Sequence, residues 1–67
     1  MKTNTVQQAM AAVLKSLGFE AMSESVIGEN DGERLGRYAR VIVRNSHRSK
    51  KAELLAMFRS QNIYPAL

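Results

Sequence analysis

The chain has 67 residues and a formal net charge of +4, with ten Lys and Arg against six Asp and Glu and no cysteine. This length predicts a single small domain over residues 1–67, since domains average roughly 100 to 150 residues. The absence of cysteine excludes disulfides, thiolate zinc sites and cysteine nucleophiles, and the one histidine cannot build a metal cluster. No glycine-rich phosphate loop or cofactor motif occurs, so we expect neither a metal nor a cofactor.

The sequence has no apolar run near 18 residues, and its polar N-terminus, M-K-T-N-T-V-Q-Q, does not have the pattern of a signal peptide. We therefore expect a cytoplasmic protein with no membrane partner. Because cores in chains below about 70 to 80 residues seldom supply more than about 3 to 5 kcal/mol, a homodimer is one option for stabilising the fold.

A first helix is predicted from an apolar stripe near the N-terminus. The stripe consists of Val6, Met10, Val13, Leu14 and Leu17. These residues recur at helical spacing over about three turns. The candidate N-caps before the stripe are Thr3, Asn4 and Thr5. Gly18 follows the stripe where a left-handed residue is favoured, and Phe19 can fold back onto it.

Two strands joined by a turn are predicted for the middle of the chain. Residues 19–27 are assigned to the first strand, although neither of their alternating faces is wholly apolar. Residues 28–36 contain three glycines together with Asn30 and Asp31, which favours a turn. Within this turn, Asp31-Gly32 is the best hairpin signal.

The strongest predicted strand covers residues 37–44, where polar and apolar residues alternate. Its apolar face would carry Ala39, Val41 and Val43. Its basic face would carry Tyr38, Arg40, Ile42 and Arg44. A final helix is predicted to begin with Ser46 or Ser49 as its N-cap and to end at Asn62 or Pro65.

These elements predict an α+β fold in the order α-β-β-α. Two helices would pack on one face of a small antiparallel sheet. The sheet would be a two-stranded hairpin, with a third short strand if part of the turn region is extended. The opposite face of the sheet, with its tyrosine and arginines, would stay open for binding. The predicted core consists of Val6, Met10, Val13, Leu14, Leu17, Val41, Val43, Leu54, Leu55 and Phe58.

Positive charge is concentrated in residues 34–51, which hold seven of the ten Lys and Arg and no Asp or Glu. The remaining residues have three cations and six acids. The net charge is therefore +7 within residues 34–51 and −3 in the rest of the chain. Such a distribution attracts nucleic-acid phosphates or an acidic protein surface. Cations in a first helical turn are disfavoured by about 0.3 to 1 kcal/mol each, so Arg48, Lys50 and Lys51 indicate either an anion site or a solvated basic turn. The predicted nucleic-acid-binding residues are Arg37, Tyr38, Arg40, Arg44, His47, Arg48, Lys50 and Lys51.

The order of elements and the segment S-K-K-A at residues 49–52 resemble the double-stranded RNA-binding domain, an α-β-β-β-α fold. The resemblance implies that Lys50 and Lys51 grip phosphates across the major groove. It also implies minor-groove contacts from the first helix through Gln7 and Gln8, which are otherwise read as solvated positions.

Residues 14–20, L-K-S-L-G-F-E, are similar to the end of the first helix in HicA-type toxins, small ribonucleases of the same fold. Those toxins carry a catalytic histidine in the first strand. This chain has Ser23, Glu24 and Ser25 in that region, so the resemblance does not imply nuclease activity.

The function predicted is non-catalytic binding of nucleic acid, RNA or DNA, through a basic strand face and a helix N-terminus. His47 is the only side chain that carries protons near neutral pH, and no carboxylate lies near it in sequence to orient the ring. The alternative is a small adaptor or inhibitor that binds an acidic surface of a protein partner through Tyr and Arg anchors. A toxin-like ribonuclease that depends on His47 is the third option.

Overall fold

The computed structural model describes residues 5–29 and 31–67, which form four helices and no strand. The helices are α1 (Thr5–Ser16), α2 (Glu20–Val26), α3 (Gly32–Asn45) and α4 (Arg48–Ser60). The predicted α+β fold is therefore wrong, because both predicted strands are helices. The strand order implied by the resemblance to the RNA-binding domain is likewise not found in the described part of the chain. Thr3, Asn4 and Asn30, which the sequence assigned to caps and a turn, lie outside the described residues.

The apolar residues of α3 fit two patterns, the alternation of a strand and the spacing of three or four residues that is typical of a helix. The structure follows the helical pattern. The helical stripe consists of Leu35, Tyr38, Ala39, Ile42 and Val43, all of which lie in or against the core. Within residues 37–44, a strand would have buried three side chains on its apolar face, whereas the helix places Val41 and four members of the stripe in or against the core. Ile42, which the strand prediction placed beside Arg40 and Arg44, is only 1% exposed.

α2 replaces the first predicted strand for the same reason. Phe19, Met22 and Val26 are separated by three and four residues and pack in or against the core, with Val26 fully buried. A hydrogen bond also joins α2 to α1, since the hydroxyl of Ser23 donates to the carbonyl of Ala11 at 2.8 Å. In residues 19–27 neither alternating face is wholly apolar, and this pattern already argued against a strand.

The predicted hairpin turn is a helix-to-helix connection. Ile27 (φ −69, ψ 124) and Gly28 (φ 81) hold the central positions of a type II turn, closed by the amide of Glu29. This turn requires a positive φ at its third position, which glycine adopts without strain. The side chain of Asp31 accepts a hydrogen bond from the amide of Glu33 at 2.9 Å and so caps α3 instead of turning a hairpin.

α1 and α4 end in the same C-terminal motif. Gly18 has φ 92, as predicted, and the next amide donates to the carbonyl of Leu14 at 2.8 Å. At the end of α4, Asn62 has φ 60, and the amide of Ile63 donates to the carbonyl of Phe58 at 2.9 Å. Ile63 and Phe58 are both buried, so this cap also anchors the C-terminal segment to the core.

The core confirms part of the predicted set and corrects the rest. Four predicted residues are buried and four are half-buried: Met10, Leu14, Val43 and Phe58, then Val6, Val41, Leu54 and Leu55. Val13 and Leu17 are instead 37% and 38% exposed. The reason is that the backbone of α4 approaches that of α3 and not that of α1, so α4 does not cover these two side chains. The buried apolar residues missing from the prediction are Ala11, Val26, Ala39, Ile42 and Ile63.

Gln7 is a buried polar residue that joins α1 to the end of α2. It is 4% exposed, and its Nε2 donates to the carbonyl of Val26 at 3.1 Å and to the carbonyl of Glu29. This position removes Gln7 from the surface on which a groove contact would require it.

Replacement of Gln7 by alanine is expected to lower the free energy of unfolding by about 1 to 3 kcal/mol, because two carbonyls lose their shared donor. Urea denaturation measures this loss. The matched control is Gln8→Ala at the exposed neighbouring position, which should change stability by less than about 0.5 kcal/mol. Equal midpoints for the two variants would show that the buried amide does not stabilise the α1–α2 pair.

No helix in residues 5–29 and 31–67 combines the length and the apolar character needed to cross a membrane.

Candidate nucleic-acid interface

The exposed side of α3 carries a row of arginines, called here the arginine face. Its members are Arg34, Arg37, Arg40 and Arg44. Intervals of three, three and four residues place these side chains on one side of the helix, away from the apolar stripe. At about 1.5 Å per residue, the arginine face extends over roughly 15 Å. The four arginines therefore form a single row along the exposed side of α3.

A groove runs between α2 and α3 beside the arginine face. Arg37, Arg40 and Arg44 line this groove together with Phe19 and Met22. The two apolar side chains lie partly exposed against the edge of the core. The groove therefore combines apolar contact with three cations.

Tyr38 lies apart from Arg40, although the strand prediction placed them on one face. In a helix, residues two apart are separated by about 200° around the axis. Tyr38 is half-buried against the core and lines a neighbouring depression with Met22, Arg34 and Arg37. Only the exposed part of its ring is open to a ligand.

Carboxylates pair with two members of the arginine face. The guanidinium of Arg34 lies 3.6 Å from Glu29, and that of Arg37 lies 3.6 Å from Glu33. The Arg37–Glu33 pair is exposed on both sides, and such pairs are worth about 0 to 1 kcal/mol, so an anion can compete with it. The side chain of Glu29 is only 18% exposed, so its pair with Arg34 is less screened by solvent. Within the described residues, no carboxylate forms an ion pair with Arg40, Arg44, Arg48 or Lys51.

α4 begins with a histidine cap rather than the serine cap predicted at Ser46 or Ser49. The Nδ1 of His47 accepts a hydrogen bond from the amide of Ser49 at 3.2 Å and lies 2.8 Å from its hydroxyl. The hydroxyl of Ser46 instead donates to the carbonyl of Val43 at 2.7 Å, at the end of α3. One nitrogen of the imidazole thus has a structural role, and only the Nε2 edge of His47 remains for another partner.

The three cations of the first turn of α4 do not form one pocket. Lys50 lies 3.7 Å from the carboxylate of Glu53 and lines a separate groove beside Val13 of α1 and Leu17, which follows α1. Arg48 and Lys51 are exposed at the corner where α4 leaves α3. The structure therefore brings Arg37, Arg40 and Arg44 together and sets Lys50 apart from them.

Five residues of the site were missing from the prediction: Phe19, Met22, Arg34, Val41 and Asn45. The spacing of the arginines was the signal for Arg34, because four cations at intervals of three or four residues mark one face of a helix. Phe19 and Met22 reach the site only through the packing of α2 on α3.

No protein-family model matches the chain, and neither curated proteins nor solved structures give a match. In the part of the chain that the structure describes, no three His, Asp or Glu side chains are grouped to hold a metal ion. Support for the candidate site therefore comes from the positions and charges of its own side chains.

Proposed function

We propose that the protein binds nucleic acid, RNA or DNA, through the arginine face of α3 and acts by binding, without catalysis. The observation that carries this proposal is the alignment of four exposed arginines opposite the buried stripe of one helix. Guanidinium groups form paired, charge-assisted hydrogen bonds with phosphate oxygens, so a row of them suits a phosphate backbone. We also propose a cytoplasmic location, because a chain without cysteine forms no disulfides and does not require an oxidising compartment.

The dimensions of α3 suit a nucleic-acid groove. A helix with its side chains is about 10 to 12 Å across, and the major groove of duplex DNA is about 12 Å wide. With α3 in this groove, arginines along the exposed face reach the flanking phosphates. On a single strand, the same cations would follow the backbone while Phe19 offers a surface for a base.

We include Arg48 and Lys51 in the proposed surface because only two residues separate the end of α3 from the start of α4. They follow Arg44 by four and seven residues, and no carboxylate in the described residues pairs with them. Lys50 is excluded from this set because it lines the other groove, between α1 and α4. The proposed phosphate contacts are therefore Arg37, Arg40, Arg44, Arg48 and Lys51. Arg34 is not counted, because it does not line the α2–α3 groove and it pairs with Glu29, whose side chain is only 18% exposed.

Salt titration of binding tests the proposal. Five phosphate contacts predict that the logarithm of the association constant falls with the logarithm of salt concentration at a slope of about −4.5 on duplex DNA, or about −3.5 on a single strand. The titration is run in parallel on duplex DNA, duplex RNA and single strands of the same length. A slope near zero on every polymer would rule out the arginine face as a phosphate-binding surface.

An acidic protein partner is the second candidate, favoured by the apolar residues in the α2–α3 groove. Phe19 and Met22 beside three arginines also suit an acidic segment that carries apolar side chains. Nuclease treatment separates the two candidates. Nucleic acid that co-purifies and is released by nuclease supports the first, whereas an acidic protein that stays bound after nuclease treatment supports the second.

A further inference from the structure

α4 is held on one side only. It packs on α3, and its backbone contacts neither α1 nor α2. Phe58 is the only residue among the thirteen of α4 that is buried. A groove of about 270 Å³ is left between α1 and α4, with Ile42 of α3 among its lining residues.

The α1–α4 groove is lined by large apolar side chains that remain in water. Val13, Leu17 and Met57 are 37%, 38% and 39% exposed, and they line this groove together with the half-buried Leu54. Covering such a surface is favourable in proportion to the apolar area removed from water. In a chain of 67 residues, where the core alone supplies little stability, this gain is a large fraction of the total.

The charged residues at the edge of the groove indicate what covers it. Lys50 and Glu53 lie on the same side of α4, one turn apart, with their charged atoms 3.7 Å from each other. They are the only charged residues that line this groove among those described. A two-fold axis that crosses α4 between these two residues would place Lys50 of each protomer opposite Glu53 of its partner. A surface with both signs one turn apart is thus complementary to itself.

The position of the groove leaves the arginine face free. Arg37, Arg40 and Arg44 line the groove between α2 and α3, and none of them lines the α1–α4 groove. Pairing through α1 and α4 therefore does not require the α3 arginines of either copy to be buried against the other.

We propose that the α1–α4 groove is the interface of a homodimer, in which Val13, Leu17 and Met57 of two copies cover one another and Lys50 pairs with Glu53 across the two-fold axis. This proposal does not depend on nucleic-acid binding. The protein forms dimers in solution, and the dimer dissociates on dilution.

The oligomeric state of the wild-type chain and of three variants tests the proposal. Sedimentation over about a hundredfold range of concentration should show a monomer–dimer equilibrium for the wild type. Leu17→Lys should be monomeric throughout, because a charge at the centre of the contact would be buried without a partner. The control is Ile27→Lys, which changes another exposed apolar residue outside the groove and should leave the dimer intact. Circular dichroism of each variant checks that the helices remain.

Charge reversal tests the two-fold geometry itself. Lys50→Glu or Glu53→Lys alone places like charges opposite each other and should weaken the dimer at least about tenfold. An equal mixture of the two variants should recover association, because each now complements the other. A wild type that is monomeric at every concentration would overturn the proposal, as would a Leu17→Lys variant that dimerises normally. Failure of the mixture to associate would overturn the two-fold pairing.

Discussion

Replacing Arg40 and Arg44 together by glutamine is expected to weaken binding to nucleic acid about 60-fold on duplex DNA at about 0.1 M salt. Each lost phosphate contact removes about 0.9 from the salt slope, so the slope should change from about −4.5 to about −2.7. Glutamine favours helices about as well as arginine does, and both positions are exposed, so α3 should remain folded. Fluorescence anisotropy with labelled duplex measures both quantities.

The matched control removes the same charge from another part of the surface. Lys15→Gln with Arg59→Gln also lowers the net charge from +4 to +2, and both side chains are exposed outside the arginine face. This double variant should keep most of the affinity and nearly all of the salt slope. If the two double variants lose affinity equally, binding responds to net charge, and α3 is not a specific phosphate-binding element.

Replacing Ile42 by alanine is expected to destabilise the fold by about 2 to 5 kcal/mol. Ile42 is 1% exposed and belongs to the core cluster with Leu14 and Phe58, so the shorter side chain leaves a cavity among three helices. Because a chain of this size has only about 3 to 5 kcal/mol of stability from its core, part of the population should unfold at room temperature. Urea denaturation followed by circular dichroism measures the loss.

Val41→Ala is the comparison that separates the helix from the strand predicted for this segment. Val41 is half-buried and lines the α2–α3 groove, so its truncation should cost less than about 1.5 kcal/mol, partly offset by the higher helix propensity of alanine. A strand would reverse this order, with Val41 in the core and Ile42 on the open face. A greater loss for Val41→Ala than for Ile42→Ala would contradict the helical assignment of α3.

The first helix could be predicted from the sequence because every local signal agreed. The apolar stripe, the polar opposite side and Gly18 all indicate one helix and its end. The middle of the chain could not be assigned in this way, because the run Val41, Ile42 and Val43 has high strand propensity and fits both periods. Packing against α1, α2 and α4 decides between the two periods, and that packing is not visible in any short window.

The site was predictable in composition but not in arrangement. The concentration of cations in residues 34–51 is a property of the sequence, whereas the face on which each cation lies depends on the helix. A strand would place Arg40 with Tyr38, and the helix places it with Arg37 and Arg44. Likewise, the burial of Gln7 depends on carbonyls 19 and 22 residues away in sequence, which no local pattern reveals.

Chemical-shift mapping of the isotope-labelled protein is the most direct test of whether nucleic acid lies against α3. The oligonucleotide that binds most tightly in the salt titration is added in steps, and the amide signals are followed. The largest changes are predicted at Arg37, Arg40, Val41 and Arg44, with smaller changes at the start of α4. Changes confined to the α1–α4 groove, or no changes at a saturating concentration, would contradict the proposed interface.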